Sequence, residues 1–403
     1  MDGGERRRSR RDRRGRQLGV RITVLMLGIG IGIVLFAYAA FTAAASIDTS
    51  SVRLISSRFT IQQVFRHGDR TPTETYPKDP YLNYKWPDGW GALTKKGMLQ
   101  LYNVGRWIRK EYGSIIGSKY ERIRSSTQSS YADRCIMSAQ ALLAGLYPPS
   151  PDEMFVPGLP WVPVPVHSTP RNLDKKNCVD FQTIVVKAPC PRLEAALREG
   201  YVNETTRPGT LPGKYYHELS LLTGQNISTI TDVEFLYNTL EIEEDHGLKL
   251  PEWTKEYYNR EMREIAARSL ALFTSNTLQK RLRGGPLLKD ILERMKAFDR
   301  GTDTRRAYLY SAHDVTLVNL LRTMGFTDEY FKPAYGATLV FQLHVSSYEA
   351  NDLSFSLMYL NSSEATTAYP MRVPHCDDPC LLGNLEKLWK DVIPDNWDDE
   401  CRP

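Results

Sequence analysis

The sequence predicts an α/β fold: a central mixed sheet flanked by helices, with a smaller, mainly helical domain inserted into it. Three observations carry this. Strand-like runs occur at residues 59–65 and 120–125 and again at 307–310, 338–345 and 355–359. Between about 190 and 298 the apolar residues recur at helical spacing and no long strand intervenes. Finally, 403 residues with 41% hydrophobic and 25% charged side chains are ordinary for a globular chain able to bury a full core.

The N-terminus stands apart. Residues 1–21 hold nine arginines against Asp2, Glu5 and Asp12, a net of +6, so the formal +5 of the whole chain leaves −1 for the remainder. That remainder offers no general electrostatic support for nucleic-acid binding. Residues 22–45 carry no charge and only two polar side chains, Thr23 and Thr42, and about 20 apolar residues cross a bilayer as a helix. A basic flank keeps residues 1–21 cytoplasmic. The run reads as a signal anchor or, with Ala43-Ala44-Ala45 as cleavage site, as a signal peptide. Its length favours the uncleaved anchor. Either way the rest is exported: a single-pass type II membrane protein with a luminal or extracellular domain, or a secreted or lysosomal protein. Residues 46–57 are a polar spacer, and 58–403 form the folded domain.

In chain order, 59–65 is a strand. Leu101, Val104, Ile108 and Tyr112 make 94–112 a helix capped by Thr94. The strand at 120–125 precedes a helix over 132–146. Eight prolines between 148 and 170 rule out a regular helix there and leave an ordered crossing loop, extended at 162–167. Helices follow at 193–199, 215–223, 232–244, 255–271 and 287–297. After the strand at 307–310, residues 315–324 form an apolar helix ended by Gly325. The aromatic residues from Tyr76 to Trp90 either line an entrance or pack against the insertion, and packing is favoured.

All six cysteines, Cys135, Cys178, Cys190, Cys376, Cys380 and Cys401, follow the apolar run. An even number in an exported domain favours disulfides and leaves the pairing open. Cys376 and Cys380 lack a second close pair to complete a metal tetrahedron, and adjacent His375 is badly placed to help. Glycosylation sequons at Asn203, Asn226 and Asn361 suit an exported surface.

Arg66-His67-Gly68-Asp69-Arg70-Thr71-Pro72 directly follows the first strand. Two guanidinium groups beside one imidazole disfavour its protonated form, keeping it free to attack something anionic below its usual pKa of about 6.5. Arginine forks also match phosphate oxygens. The plainer reading is a surface loop whose charges pair with one another. A second motif, Tyr310-Ser311-Ala312-His313-Asp314, ends another strand, and sites in open α/β sheets gather at carboxyl ends of strands. Asp314 is then a candidate general acid, or simply a helix cap. The third piece is Asp133-Arg134, which sets Arg134 at a helix N-terminus unless it is only a helix-end ion pair. Arg124 either reaches the site or is solvated.

These three motifs, in this order, resemble the signature of the histidine acid phosphatases, and the chain is similar to their prostatic and lysosomal members and to the venom type. The resemblance covers nearly all of the exported chain. It implies the histidine-phosphatase-like fold, with His67 as nucleophile, Asp314 as proton donor, and Arg66, Arg70, Arg134 and His313 binding phosphate. It implies no metal and no cofactor. The substrate would be a small phosphomonoester or phosphoprotein, and a homodimer is suggested. Cys190–Cys401 and Cys376–Cys380 bridges are also implied, and Cys135 and Cys178 then pair by elimination. The chain departs from the family in a longer segment between Arg124 and Arg134. It also has no cysteine at Ala337 or around Ile242, where mammalian members carry a third bridge. Three sequons and six cysteines argue against a phosphoglycerate-mutase-like transferase. The alternatives are a phytase or lysophospholipid phosphatase of the same fold, or a membrane-tethered binding module with a silent site.

Overall fold

The computed structural model describes residues 59–170, 189–206, 213–345 and 352–403. The basic leader, the apolar run 22–45, the spacer and Cys178 lie outside them. Among the described residues no helix is long and apolar enough to cross a membrane.

The strands are β1 (Thr60–Arg66), β2 (Ser125–Ser129), β3 (His167–Ser168), β4 (Ala307–Ala312), β5 (Thr338–Val345), β6 (Leu353–Leu360) and β7 (Tyr369–Met371). The helices are α1 (Lys95–Ile116), α2 (Asp133–Leu146), α3 (Pro191–Thr206), α4 (Gly213–Thr223), α5 (Ile230–Asp245), α6 (Thr254–Tyr257), α7 (Arg260–Leu272), α8 (Thr277–Gln279), α9 (Gly285–Asp299), α10 (Asp314–Thr323), α11 (Leu382–Leu388) and α12 (Trp397–Glu400). A π-helical segment, Lys280–Gly284, links α8 to α9.

The seven strands form one mixed sheet in the order β3-β2-β4-β1-β5-β6-β7. β1, β2, β3 and β4 run parallel, and β5, β6 and β7 add antiparallel. Every residue of β1 and β4 is buried, as expected of central parallel strands covered on both faces. Alternation sorts the β1 side chains. Ile61 and Phe65 pack with Leu101, Ile108, Leu142 and Leu146 of α1 and α2. Val64 joins Leu288, Ile291, Leu317 and Leu321 of α9 and α10 on the opposite face. Each such side chain contributes about 1.5–3 kcal/mol on burial. A third core, with Leu219, Val233, Leu240, Met262 and Ile265, belongs to α4, α5 and α7 and takes in Tyr76 from the loop after β1. α9 turns its apolar stripe to the sheet instead of to this helical core.

Several elements differ from expectation. The second strand runs over Ser125–Ser129, not 120–125. Its Ser-Ser-Thr-Gln-Ser sequence has no apolar residue, yet Ser125, Thr127 and Ser129 are buried, so backbone pairing to β4 and β3 defines it. The helix expected over 255–271 breaks where Asn259 caps α7, accepting from Met262 N at 3.1 Å. His313, not Asp314, occupies the N-cap of α10. Cys190–Cys401 and Cys376–Cys380 are bridged. The Cys135–Cys178 bridge is not formed: Cys135 is a free thiol, 0% exposed under α2 with its Sγ 3.5 Å from Ala312 O. Of the aromatic run, Tyr76 and Trp86 are buried against Trp253 and His246 of the insertion, whereas Tyr84 and Trp90 are exposed. Tyr84, Trp86 and Trp90 stack edge-on in series, and Trp86 meets His246 at 5.2 Å.

The helical core holds a carboxyl poised for acid conditions. Glu243 on α5 is 1% exposed, and burial followed by the nearby Asp79 carboxylate pushes its pKa up to about 9. A carboxyl that holds its proton more tightly when folded stabilises below its unfolded pKa, and that contribution is lost as pH rises through the folded one. The melting temperature should therefore fall between about pH 5 and about pH 8. Glu243→Gln should flatten that slope, and an unchanged slope would assign it to other groups.

Candidate active site

β1 and β4 lie side by side in parallel, with Arg66 opposite Ala312. His67 and His313, one residue further on each strand, consequently emerge together at the carboxyl edge of the sheet. His67 N donates to Ala312 O at 3.0 Å, and the two imidazoles meet edge to face at 5.4 Å. His67 is 2% exposed. Its Nδ1 lies 2.8 Å from Gly68 O, a contact only the Nδ1–H tautomer satisfies, which leaves Nε2 unprotonated and able to accept. Arg134 Nε donates to that Nε2 at 3.2 Å. Burial, then Arg134, His313, Arg66 and Arg70, hold the imidazole well below its ordinary pKa. It is a neutral, oriented base.

Gly68 is fixed by sterics. A Cβ there would lie 2.3 Å from the Gly97 carbonyl oxygen, so only glycine lets this loop rest on the first turn of α1. Asp69, 0% exposed, ties the same loop down: Thr94 Oγ1 donates to its Oδ2 at 2.5 Å, and its own N–H donates to Gln100 Oε1 at 2.8 Å.

Arg66 is 3% exposed. Its guanidinium pairs with Asp314 Oδ2 at 2.8 Å, donates to Pro333 O at 2.5 Å and lies 4.1 Å over the Tyr335 ring. Burial works against its charge, but Asp314, then Tyr335, Glu241 and Glu234, together outweigh it and raise its pKa. Burial alone would raise the Asp314 pKa; Arg66, then Lys332 and the Val315 N–H, instead hold the carboxyl well below the usual range. Lys332 is in turn paired with Glu241 of α5.

A cavity of about 330 Å³ opens over this edge and brings His67, Arg70, Arg134, His313 and Asp314 together. Arg134 is the second residue of α2, whose N-cap, Ala132, offers no side-chain cap; free N–H groups and a guanidinium there favour an anion. His313 Nε2 contacts Ser130 Oγ at 3.0 Å, and its Nδ1 lies 3.4 Å from Arg134. Arg124 does not line the cavity; it pairs with Glu121 at 3.2 Å, half exposed. Among the described residues no group of three or more His, Cys, Asp or Glu side chains is arranged to hold a metal ion.

The model of the histidine phosphatase superfamily, branch 2, matches residues 60–356. The chain belongs to this family. Human lysosomal acid phosphatase is 34% identical over 360 residues, which cover 87% of this chain and 81% of that protein. Bovine prostatic acid phosphatase is 33% identical over 355 residues, covering 87% and 89%. Among solved structures, the phytase from Citrobacter braakii superposes with a TM-score of 0.60 at 16% identity, over 85% of this chain and 98% of that one. At that identity the likeness establishes the fold. These relatives are acid phosphatases.

Three residues beside the cavity were not singled out from sequence. Lys332 and Tyr335 come from the loop before β5, which has no periodicity to flag them. Glu234 lies on the buried face of α5, 6% exposed, and lines the cavity with Asp314; in sequence it is one acidic residue among several on an amphipathic helix. Asn238 Nδ2 donates to it at 3.4 Å. Burial, and then repulsion from Asp314, push its pKa up to about 7. A raised carboxyl is neutral below that value and charged above it. Sulfate does not titrate in this range, so its affinity should fall roughly tenfold as pH rises through about 7. Glu234→Gln should abolish the fall; calorimetric titration of both proteins with sulfate checks it, and an identical pH dependence would clear Glu234.

Proposed function

We propose that this chain is an acid phosphatase that hydrolyses phosphate monoesters through a phosphohistidine at His67. The observation that carries it is the unprotonated Nε2 of His67, which accepts from Arg134 in a cavity also lined by Arg70, His313 and Asp314. A monoester's non-bridging oxygens sit among Arg66, Arg70, Arg134 and His313, which offset charge in the transition state. Nε2 forms a bond to phosphorus in line as the bond to the leaving oxygen breaks, and Asp314 delivers a proton to that oxygen. Water then attacks phosphorus, the P–N bond breaks, and Asp314 takes the proton from the water.

The low pKa of Asp314 locates the source of the proton. In the free protein the carboxyl is ionised by its pair with Arg66. A bound phosphate competes for Arg66, which releases Asp314 from its counter-charge and raises its affinity for a proton. The substrate monoanion, which predominates below its second pKa of about 6, brings one. An acidic optimum thus follows from the substrate's protonation as well as from the neutrality of Glu234.

The same reading places the domain on the exported side of a membrane, held by residues 22–45 or released. Its two disulfides and the exposed side chains of Asn203, Asn226 and Asn361 support this. Glycosidase treatment of protein from secretory cells should increase its mobility on gels; no shift would count against export.

Phosphate release from nitrophenyl phosphate should peak below about pH 6 and vanish in His67→Ala. Asp314→Asn should slow alkyl phosphates by about 100-fold or more and nitrophenyl phosphate much less, because nitrophenolate leaves without a proton. Equal slowing of both would remove Asp314 from the acid role.

A further inference from the structure

The phosphate end of the cavity lies at the sheet edge, whereas the opposite wall is built by α5, α7, the π segment, α9 and α10. The leucines of that wall are at most 2% exposed, so much of what a ligand meets there is polar: Thr231, Asn238, Arg283, Thr316 and Asn319. Three of these are already engaged. Thr231 Oγ1 meets Tyr201 Oη at 2.9 Å and Ser269 Oγ at 3.0 Å, Asn238 Nδ2 donates to Glu234 at 3.4 Å, and Thr316 Oγ1 accepts from His313 N at 3.4 Å. Asn319 differs. It is 9% exposed, and its Oδ1 has no hydrogen-bond partner among the described residues. Buried polar atoms are nearly always paired, so an orphaned acceptor on a residue lining a cavity marks the place of a donor from the ligand.

Gly284 brings a second group to the same place. A Cβ on it would lie 2.7 Å from Asn319 O and would also strike Thr323 Oγ1, so only glycine lets the π segment rest on α10. Arg283, the residue before it, lines the cavity together with Asn319, its guanidinium 5.1 Å over the Phe273 ring.

We propose that Asn319 and Arg283 form a leaving-group subsite that recognises a hydroxyl, so that the preferred substrate is the monophosphate of a polyol. The inference rests on the phosphatase reading above. A hydroxyl is a small neutral group that donates and accepts at once: its proton goes to Asn319 Oδ1, and its oxygen accepts from Arg283. The terminal torsion of asparagine is soft, so the amide turns its oxygen to the ligand at little cost. A carboxylate would satisfy Arg283 but has no proton for Oδ1, and an alkyl chain serves neither. Asn319 lies five residues past Asp314, about 7.5 Å along α10, which sets the hydroxyl a few carbons beyond the oxygen that Asp314 protonates.

The test is kcat/KM for butyl phosphate, 4-hydroxybutyl phosphate and 3-carboxypropyl phosphate, with nitrophenyl phosphate as the reference. It is run at about pH 5.5, where a carboxyl with a pKa of about 4.3 is ionised. The native protein should favour the hydroxyl over the alkyl substrate by about tenfold, and should favour it over the carboxylate too. Asn319→Leu should bring the hydroxyl and alkyl substrates within about twofold of each other, and Asn319→Ala, which adds no bulk, should lose the same preference. Equal values for the hydroxyl and alkyl substrates in the native protein, a preference for the carboxylate, or a hydroxyl preference that survives both substitutions would overturn the subsite while nitrophenyl phosphate is still cleaved. Failure to cleave nitrophenyl phosphate would overturn the phosphatase reading and this inference with it.

Discussion

The buried pair between Arg66 and Asp314 is the constraint on which the rest of the site depends. A guanidinium at 3% exposure must be paired, and removing one partner of a buried pair typically costs about 3–5 kcal/mol. The pair joins the last residue of β1 to the first residue of α10, across the parallel β1–β4 pairing that sets Arg66 opposite Ala312. Shifting that register by one residue would separate His67 from His313 and break the ion pair together. Register and electrostatics therefore select the same arrangement, each making the other hard to change. Tyr335 and the Pro333 carbonyl complete the enclosure of Arg66, so the guanidinium has little room to reorient.

Two carboxyls share one cavity in opposite states. Asp314 faces Arg66 and Lys332 and stays ionised, while Glu234 is buried, faces Asp314 and holds its proton up to about pH 7. Environments that push two titratable groups apart are how a site separates acid from base roles. Here the separation also limits negative charge: with Glu234 neutral, the cavity lining carries one carboxylate, Asp314, against Arg70, Arg134 and Arg283, and an arriving phosphate meets net positive charge. Glu243, deeper in the helical core, is likewise held protonated by burial without touching the cavity. Acid conditions thus favour both the binding state of the site and the packing of the lobe above it.

Much of this was legible in the sequence because the chemistry is local. Arg66-His67-Gly68 and His313-Asp314 each sit immediately after a strand, so a linear reading locates both the element and the residue at its end. Lys332, Tyr335 and Glu234 were illegible for the opposite reason: each reaches the site only through tertiary packing, and none has a spacing that marks it. β2 misled because its strand character lies in hydrogen bonds to its neighbours while its side chains are hydroxyls. Counting cysteines also misled, since Cys135 fills space beneath His313, where burial pushes its thiol up to about 12 and keeps it unreactive.

The two ends of the cavity are held by separate parts of the fold. The phosphate end is fixed by strand pairing and a buried ion pair, which tolerate little variation. The opposite wall is held by helices and by the C-terminal tail. Arg281, two residues before Arg283 in the π segment, pairs with Glu400 at 2.6 Å and Asp395 at 2.9 Å. Trp397 donates to Leu282 O at 2.9 Å, and Cys401 is bridged to Cys190. A π segment exposes side chains at a spacing an α-helix would not allow, and here the tail clamps that segment from behind. Changes in the helical wall or in the tail can therefore move Arg283 while leaving the Arg66–Asp314 pair in place.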